Sequence, residues 1–525
     1  MSQGTEFIRF ASKNERRYIM RHALGFYNAL TLTGLYTLSD AGSFDANNLN
    51  NFIPALKHCI ATHPILSAAI EGQNTENPSF IRPDYLDLRN HLHLLDTLAT
   101  STSSSAKHKD DQELHLITQV TKQIHDQPFL QVNQKPPWKV FIVPLVDEST
   151  LVHRVYIIFA YSHSHGDGRS GLEFHRTLLE GLKTAQELYD LEYLYQTSTS
   201  AMSLPPPLEE AANLTITWRY LFLNVFGDYI PNALNNLLNL QSPVNKPHAA
   251  NAWTGKAMSY DKFNFHTGSE LLLVKNDQLN AILSMCRQKG VKFTGFFNHL
   301  VVHILQSLLP HVGNGNVPTQ TLLGQIVVDL RPLLPAYTAN ENQMINSVTA
   351  LYVSAPSTSS DWNTAFNLKH DPAFWEDARR TTDQLAECAS TLVDQPIGLL
   401  RYLGSFRDWF LGKVGMSRDS SYEISNAVVF DPHARSIDLS TTTDPRKWDI
   451  ERVLFSQPAN VTGSPLNFQI VTRRGGDMVI TLNWQLGVLG VSDEAVLARK
   501  ILDKARDLMS EICCGCPASC IHCDR

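Results

Sequence analysis

The stretch VYIIFAYSHSHGDGRSGLEFHRTLL, Val155 to Leu179, constrains this chain more than any other. It opens with a strongly apolar, β-branched run that ends at Ser162, and a short polar loop holding Gly166 and Gly168 follows. Leu172, Leu178, Leu179 and Leu182 then recur at helical intervals. A short continuous apolar, β-branched run bounded by turn residues reads as a strand and a 3.6-residue recurrence as a helix, so the polar loop is expected to join the two in an α/β layer. PPWKVFIVPLV, just upstream, supplies another strand, turned back at DEST.

The loop itself admits two chemistries. His163, His165 and Asp167 make H-x-H-x-D, a spacing at which hydrolases hold zinc. Dinuclear enzymes of that type carry a second His directly after the Asp, where this chain has Gly168, and His248 and His266 sit in no recognisable ligand context. His163, Asp167 and Gly168 instead make H-x-x-x-D-G, a pattern of metal-free acyl transfer.

At 525 residues the chain exceeds one ordinary hydrophobic core, so two subdomains are expected. Pro205, Pro206 and Pro207 stiffen a Ser/Thr-rich linker that permits neither helix nor inner strand. The expected division is 1–200 for a first half carrying the loop, 201–250 for a crossover linker with an amphipathic segment, 251–510 for a second half, and 511–525 for a Cys-rich tail. In the second half a strand at SELLLV precedes a helix ended by Gly290 and another expected to be capped by Thr294. Strands follow at GQIVVDLRP, MINSVTALYVS, YEISNAVVF, LNFQIVTRRG and DMVITLNWQ, with a helical stretch around Ala373 to Leu400.

Charge narrows the function. Lys plus Arg is 44 and Asp plus Glu 51, a net of −7 without a basic run, which argues against nucleic acid as the main partner. The N-terminus lacks a signal-peptide core, and polar residues interrupt the longest apolar stretches, so no spanning helix is expected. Cys59, Cys286 and Cys388 are too scattered for a disulfide framework, which suggests a reducing, cytoplasmic setting.

Several motifs in order carry a resemblance. THPILSAAI, SHSHGDGRSG, KFTGFFNHLVVHIL and VVDLRPLLP follow the order used by the CoA-dependent acyltransferase superfamily, which includes plant BAHD enzymes, chloramphenicol acetyltransferase and condensation domains. Through RYIMRHALGFYNALTLTGLY, HGDGRSG and EISNAV the chain is most similar to the fungal alcohol acetyltransferase family, from about Arg17 to about Asp507. Two features depart from the superfamily: Ser162 stands where many members double the His, and the D-F-G-W-G signature of plant members is absent, so their CoA contacts do not transfer.

The resemblance implies two chloramphenicol-acetyltransferase-like α/β sandwiches with mostly mixed sheets and an active-site tunnel between them. It implies an acyl-CoA donor, acetyl-CoA first, as co-substrate rather than bound cofactor, and an alcohol acceptor in ester or secondary-metabolite biosynthesis. An imidazole titrates near neutrality, which suits His163 to taking the hydroxyl proton and returning it to the CoA thiolate. Asp167 is expected to turn away from His163 and pair with Arg331. Gly166 and Gly168 are expected to allow a sharp turn and close substrate approach. Ser425, with Asn426 beside it, is the candidate donor to the oxyanion, although the pair could equally end or bulge a strand. His165 is expected to point away from the tunnel.

Other segments leave alternatives open. Trp218, Leu221, Phe222, Val225 and Phe226 form a stripe within 214–240 that suits packing on its own domain, a lid, or peripheral contact with endoplasmic reticulum or lipid-droplet membrane. The tail CCGCPASCIHCDR spaces its cysteine pairs poorly for a four-cysteine zinc site, leaving a small site with His522, S-acylation, or no function. A zinc hydrolase and a non-catalytic ligand-binding relative are the competing functions, and a monomer is expected.

Overall fold

The computed structural model describes residues 4–39, 44–99, 106–146, 153–184, 192–197, 203–226, 252–309, 321–338, 343–355, 367–434 and 447–513. Two mixed six-stranded sheets organise them. The first runs, in spatial order, Lys447–Ser456, Ala29–Ser39, His153–Ser162, Trp138–Val146 and Leu92–Leu94, with Leu98–Ala99 also beside Trp138–Val146. Its two shortest strands are parallel to their neighbour and the remaining pairs antiparallel. The second runs Thr267–Val274, Met478–Gln485, Leu466–Arg473, Tyr422–Phe430, Leu322–Asp329 and Val348–Ala355. Here Leu466–Arg473, Tyr422–Phe430 and Leu322–Asp329 are mutually parallel, flanked by antiparallel pairs.

The strand that feeds the polar loop is central, and every residue from Val155 to Ser162 is buried. A sheet covered on both faces selects such a continuous apolar run over strict alternation. The helix Gly168–Thr184 packs back on it, Phe174 stacking on Phe159 with ring centroids 3.8 Å apart and planes 8° from parallel. The loop is therefore gripped between two rigid elements of one core.

The strand Lys447–Ser456 falls within positions 251–510, yet it pairs with Ala29–Ser39 in the first sheet. Trp448, Ile450, Val453 and Phe455 enter that sheet's core. A register shift between Ile450 and Arg452 interrupts the pairing, and Arg452 binds Asp110 at 3.2 Å and Glu113 at 3.5 Å. The second half thus lends a strand to the first, which the linear division at residue 251 does not convey.

Three local expectations change. The helix Lys13–Ala23 was not foreseen; Ser12 caps it, its hydroxyl accepting from the Glu15 N–H while the Glu15 carboxylate accepts from the Ser12 N–H at 2.7 Å. The helix Phe293–Leu308 begins one residue before Thr294, so Thr294 lies in its first turn and is not the cap. In the helix Trp218–Phe226 the buried side chains among those described, 218–224, are Tyr220 and Leu223, whereas Trp218 is 85% and Phe222 53% exposed, and the side chains of Val225 and Phe226 lie outside the description. The remainder of that segment, 227–250, and the tail from 514 lie outside the described residues, and among the described residues no helix is long and apolar enough to cross a membrane.

Five buried histidines give the fold a pH signature. Burial lowers His22, His91, His125, His165 and His175 from 6.5 to about 4. Each stays neutral in the folded chain but takes up a proton below pH 6.5 once unfolded, so their contribution to stability is intact above pH 6.5 and is lost as pH falls toward 4. The melting temperature should fall across that window, as calorimetry at a series of pH values would record; a constant value would contradict this burial.

Candidate active site

The loop Ser162–Asp167 lies where the two halves meet, and its side chains point in different directions. His165 is buried in the first half, with Nε2 2.8 Å from the Ala68 carbonyl oxygen and Nδ1 3.1 Å from Ser164 Oγ. Asp167 turns the opposite way: Arg331 Nη2 donates to its Oδ1 at 2.7 Å, Ser170 N to Oδ1 at 3.2 Å and Ser347 N to Oδ2 at 3.2 Å. The H-x-H-x-D reading needs His163, His165 and Asp167 to converge on one point, and they diverge.

Arg331 is a junction between the halves. Besides Asp167 it reaches Asp329 Oδ1 at 3.1 Å and the Ile345 carbonyl at 2.8 Å. Burial disfavours its charge, but Asp167 and Asp329 overcome that and raise its pKa above the ordinary arginine value. Ser170 ties the same strut, its hydroxyl donating to the Ile345 carbonyl at 2.7 Å. The ion pair expected from the sequence is present, and it spans the two halves.

His163 is left partly accessible on a different side. Tyr18, from the helix Lys13–Ala23, stacks on its ring at 3.9 Å and 15°, and Tyr27 approaches to 6.0 Å. From the second half, the Asn346 amide nitrogen lies 2.9 Å from His163 Nδ1 and donates to the His163 carbonyl oxygen at 2.9 Å. Desolvation of the half-buried ring, and then the positive charges of Arg21 and Arg17, lower its pKa to about 3. The imidazole is neutral through the physiological range, with a lone pair for proton transfer.

The glycines serve packing rather than turning. Neither Gly166 nor Gly168 has a positive φ. A Cβ on Gly168 would sit 2.8 Å from the Phe455 ring, and one on Gly166 would sit 2.5 Å from Ser170 Cβ. Phe455 belongs to the strand lent by the second half, so that strand and the end of the loop meet closely at Gly168. Gly168→Ala should cost about 1–3 kcal/mol by overpacking. Thermal denaturation checks this, and an unchanged melting temperature would contradict it.

The two expected oxyanion donors part company. Along Tyr422–Phe430 alternation sends Tyr422 and Ile424 into the core of the second half, with Glu423 and Ser425 on the other face. Asn426 turns toward the helix Phe293–Leu308, its Nδ2 donating to Thr294 Oγ1 at 3.0 Å, while its Oδ1 accepts from Val428 N at 2.8 Å. The register shifts between Asn426 and Val429, and Val428 adopts φ 59° there. Asn426 therefore shapes a bulge and is not aimed with Ser425.

Glu423, unremarked in the sequence, accepts from Gln457 Nε2 at 3.2 Å and Gln325 Nε2 at 3.1 Å. Burial raises its pKa, partly offset by Gln457, Arg21 and Arg17. A cavity of about 480 Å³ lies nearby, lined by Tyr220, Leu223, Tyr352 and Cys388 among others. Tyr352 connects the two regions, since Glu423 and Arg17 both act on it electrostatically.

This geometry agrees with what the chain resembles. The model of the alcohol acetyltransferase family matches residues 14–485. A probable alcohol acetyltransferase FCK4 of Fusarium pseudograminearum is 24% identical over 92% of this chain and 91% of its own length. The probable alcohol acetyltransferase crmB of Aspergillus fumigatus is 24% identical over 89% and 93%. Among solved structures, the TRI3 trichothecene 15-O-acetyltransferase of Fusarium sporotrichioides has the same fold, with a TM-score of 0.63 at 13% identity over 96% of this chain and 94% of that one. The condensation domain of the Monacolin K polyketide synthase MokA superposes with a TM-score of 0.55 at 11% identity, over 97% of each chain. With the family model covering the two sheets and the loop between them, this chain belongs to the alcohol acetyltransferase family and is an acyltransferase.

Proposed function

We propose that the chain transfers an acyl group, acetyl first, from CoA to an alcohol hydroxyl, with His163 as general base and Asp167 and Arg331 structuring the site. The observation that carries this is the division of labour within one loop: Asp167 is spent on the strut to Arg331, while His163 keeps a neutral, partly accessible ring. The hydroxyl oxygen attacks the thioester carbonyl, its proton passes to His163 Nε2, the C–S bond breaks, and the proton goes on to the thiolate. Base chemistry at Nε2 requires Nδ1 to hold the ring proton, so the Asn346 side-chain amide, which in the structure turns its nitrogen to Nδ1 at 2.9 Å, has to turn over and accept that N–H through its oxygen, an atom buried there without a partner.

Ser425 is the candidate hydrogen-bond donor to the tetrahedral oxyanion, because it shares a strand face with Glu423, which lies within the field of Arg21. Gly168 admits the strand that closes the loop. An ester-forming role in secondary metabolism is suggested by TRI3, a trichothecene O-acetyltransferase. Thiol release from acetyl-CoA, measured against alcohols from short-chain to polycyclic fungal metabolites, tests the reading. Release that depends on an alcohol supports it, and release indifferent to every alcohol counts against it.

A further inference from the structure

Arg17 and Arg21 lie one turn apart on Lys13–Ala23 and bracket Tyr18, the ring stacked on His163. The Arg17 guanidinium carbon is 4.4 Å from the Tyr18 ring centroid, and its Nη2 donates to the Tyr18 hydroxyl at 2.6 Å. The Arg21 guanidinium carbon lies 4.4 Å from the Tyr27 centroid and 5.6 Å from that of Tyr18. The Nε atoms of both arginines are buried without an acceptor. Among the described residues no carboxylate is within ion-pair distance of either guanidinium. Glu423, the acidic group within their field, is committed to Gln325 and Gln457. Both arginines are half-buried, and each holds a buried Nε donor that no protein atom accepts, a cost that an anionic ligand would relieve.

We propose that Arg17 and Arg21 form a carboxylate subsite beside His163, so that the preferred acyl-transfer pair carries a carboxylate on one of its members. This rests on the reading of His163 as the base. A guanidinium presents a planar fork of donors that matches a carboxylate, and two of them on one helix face can grip both oxygens. The carboxylate belongs either to the acceptor, a hydroxy acid, or to the far end of a dicarboxylic acyl group on the donor. The phosphates of CoA do not suit the site, because the pantetheine arm holds them away from a thioester lying at His163. Seating an anion there also offsets the positive field that weakens His163 as a base. The carboxylate is not consumed: the C–O bond forms, the C–S bond breaks and the proton moves as before.

The test uses the full-length protein in two arms. In one, acetyl-CoA is paired with a hydroxy acid and with its methyl ester; in the other, a neutral alcohol is paired with succinyl-CoA and with acetyl-CoA. The charged member of one arm should have the higher kcat/KM by roughly 10- to 100-fold, the scale of a charge-assisted hydrogen bond. Arg21→Gln and Arg17→Gln should each pull that ratio toward one, and Arg21→Lys should restore part of it. Equal or better turnover of the neutral members in both arms overturns the proposal, as does a ratio that survives both glutamine variants. A KM for CoA that rises uniformly with every acceptor would give the arginines to the donor's phosphates and also overturn it. Should the variants fail to fold, or no pair be turned over, calorimetry on the wild-type protein decides the matter. The hydroxy acid or succinyl-CoA should bind more tightly than its neutral counterpart, and equal affinities in both comparisons overturn the subsite. Absence of turnover with every pair would count against acyl transfer from CoA, independently of that binding result.

Discussion

His163→Ala is expected to lower kcat by roughly 10²–10⁴-fold, the range supplied by a positioned general base, and to leave the protein folded. The ring's packing is local: it stacks on Tyr18 and meets Asn346. Removing the stack should cost on the order of 1 kcal/mol, small beside the kinetic loss. Because the base acts in the transition state, kcat and kcat/KM should fall together while KM changes little. Steady-state kinetics and a thermal melt on one preparation check both halves of the expectation. A variant that melts far below the wild type, or keeps its kcat, would remove His163 from the role of base.

Asp167→Ala should show the reverse balance, with a loss of stability of about 3–5 kcal/mol. Arg331 would stay buried at the junction of the halves without the carboxylate that meets it at 2.7 Å, and Ser347 N and Ser170 N would lose their acceptor as well. Asp329 still faces Arg331 at 3.1 Å and keeps part of the compensation, so the lower end of that range is the better guide. Chemical denaturation gives the figure directly. Activity should fall as a consequence, because the loop that orients His163 hangs on this strut. A variant as stable as the wild type but inactive would move Asp167 from structure into chemistry.

The parts of this site that were legible in the sequence lie close together in the chain or were ordered by resemblance. His163, Asp167 and Gly168 sit between a strand marked by its unbroken apolar run and a helix marked by its period, and VVDLRP places Arg331 through the resemblance. Tyr18 and Asn346 were not legible as neighbours of His163, because they reach it from a separate helix and from a segment 183 residues away. A partial signal existed, since Ser12 and Glu15 spell a capping box that would have placed Arg17, Tyr18 and Arg21 on a helix. Asn426 lies at a bulge, the alternative that the sequence leaves open for the pair: in a strand one step along the chain changes the face, and Asn426 faces Thr294 rather than sharing the direction of Ser425. The contact that leaves no room for a side chain at Gly168 was not legible, because the ring arrives from Phe455, in a strand whose crossover into the first sheet leaves no mark in local periodicity.

Transfer of an acyl group from CoA to a hydroxyl at His163 fixes the balance of products. Chelator-treated protein is mixed with acetyl-CoA and an alcohol panel, and free thiol and ester are quantified from the same reaction. One ester should form per thiol released, at a rate unchanged by chelation and lost in His163→Ala. Thiol release without ester, or activity that vanishes on chelation and returns with zinc, would contradict it.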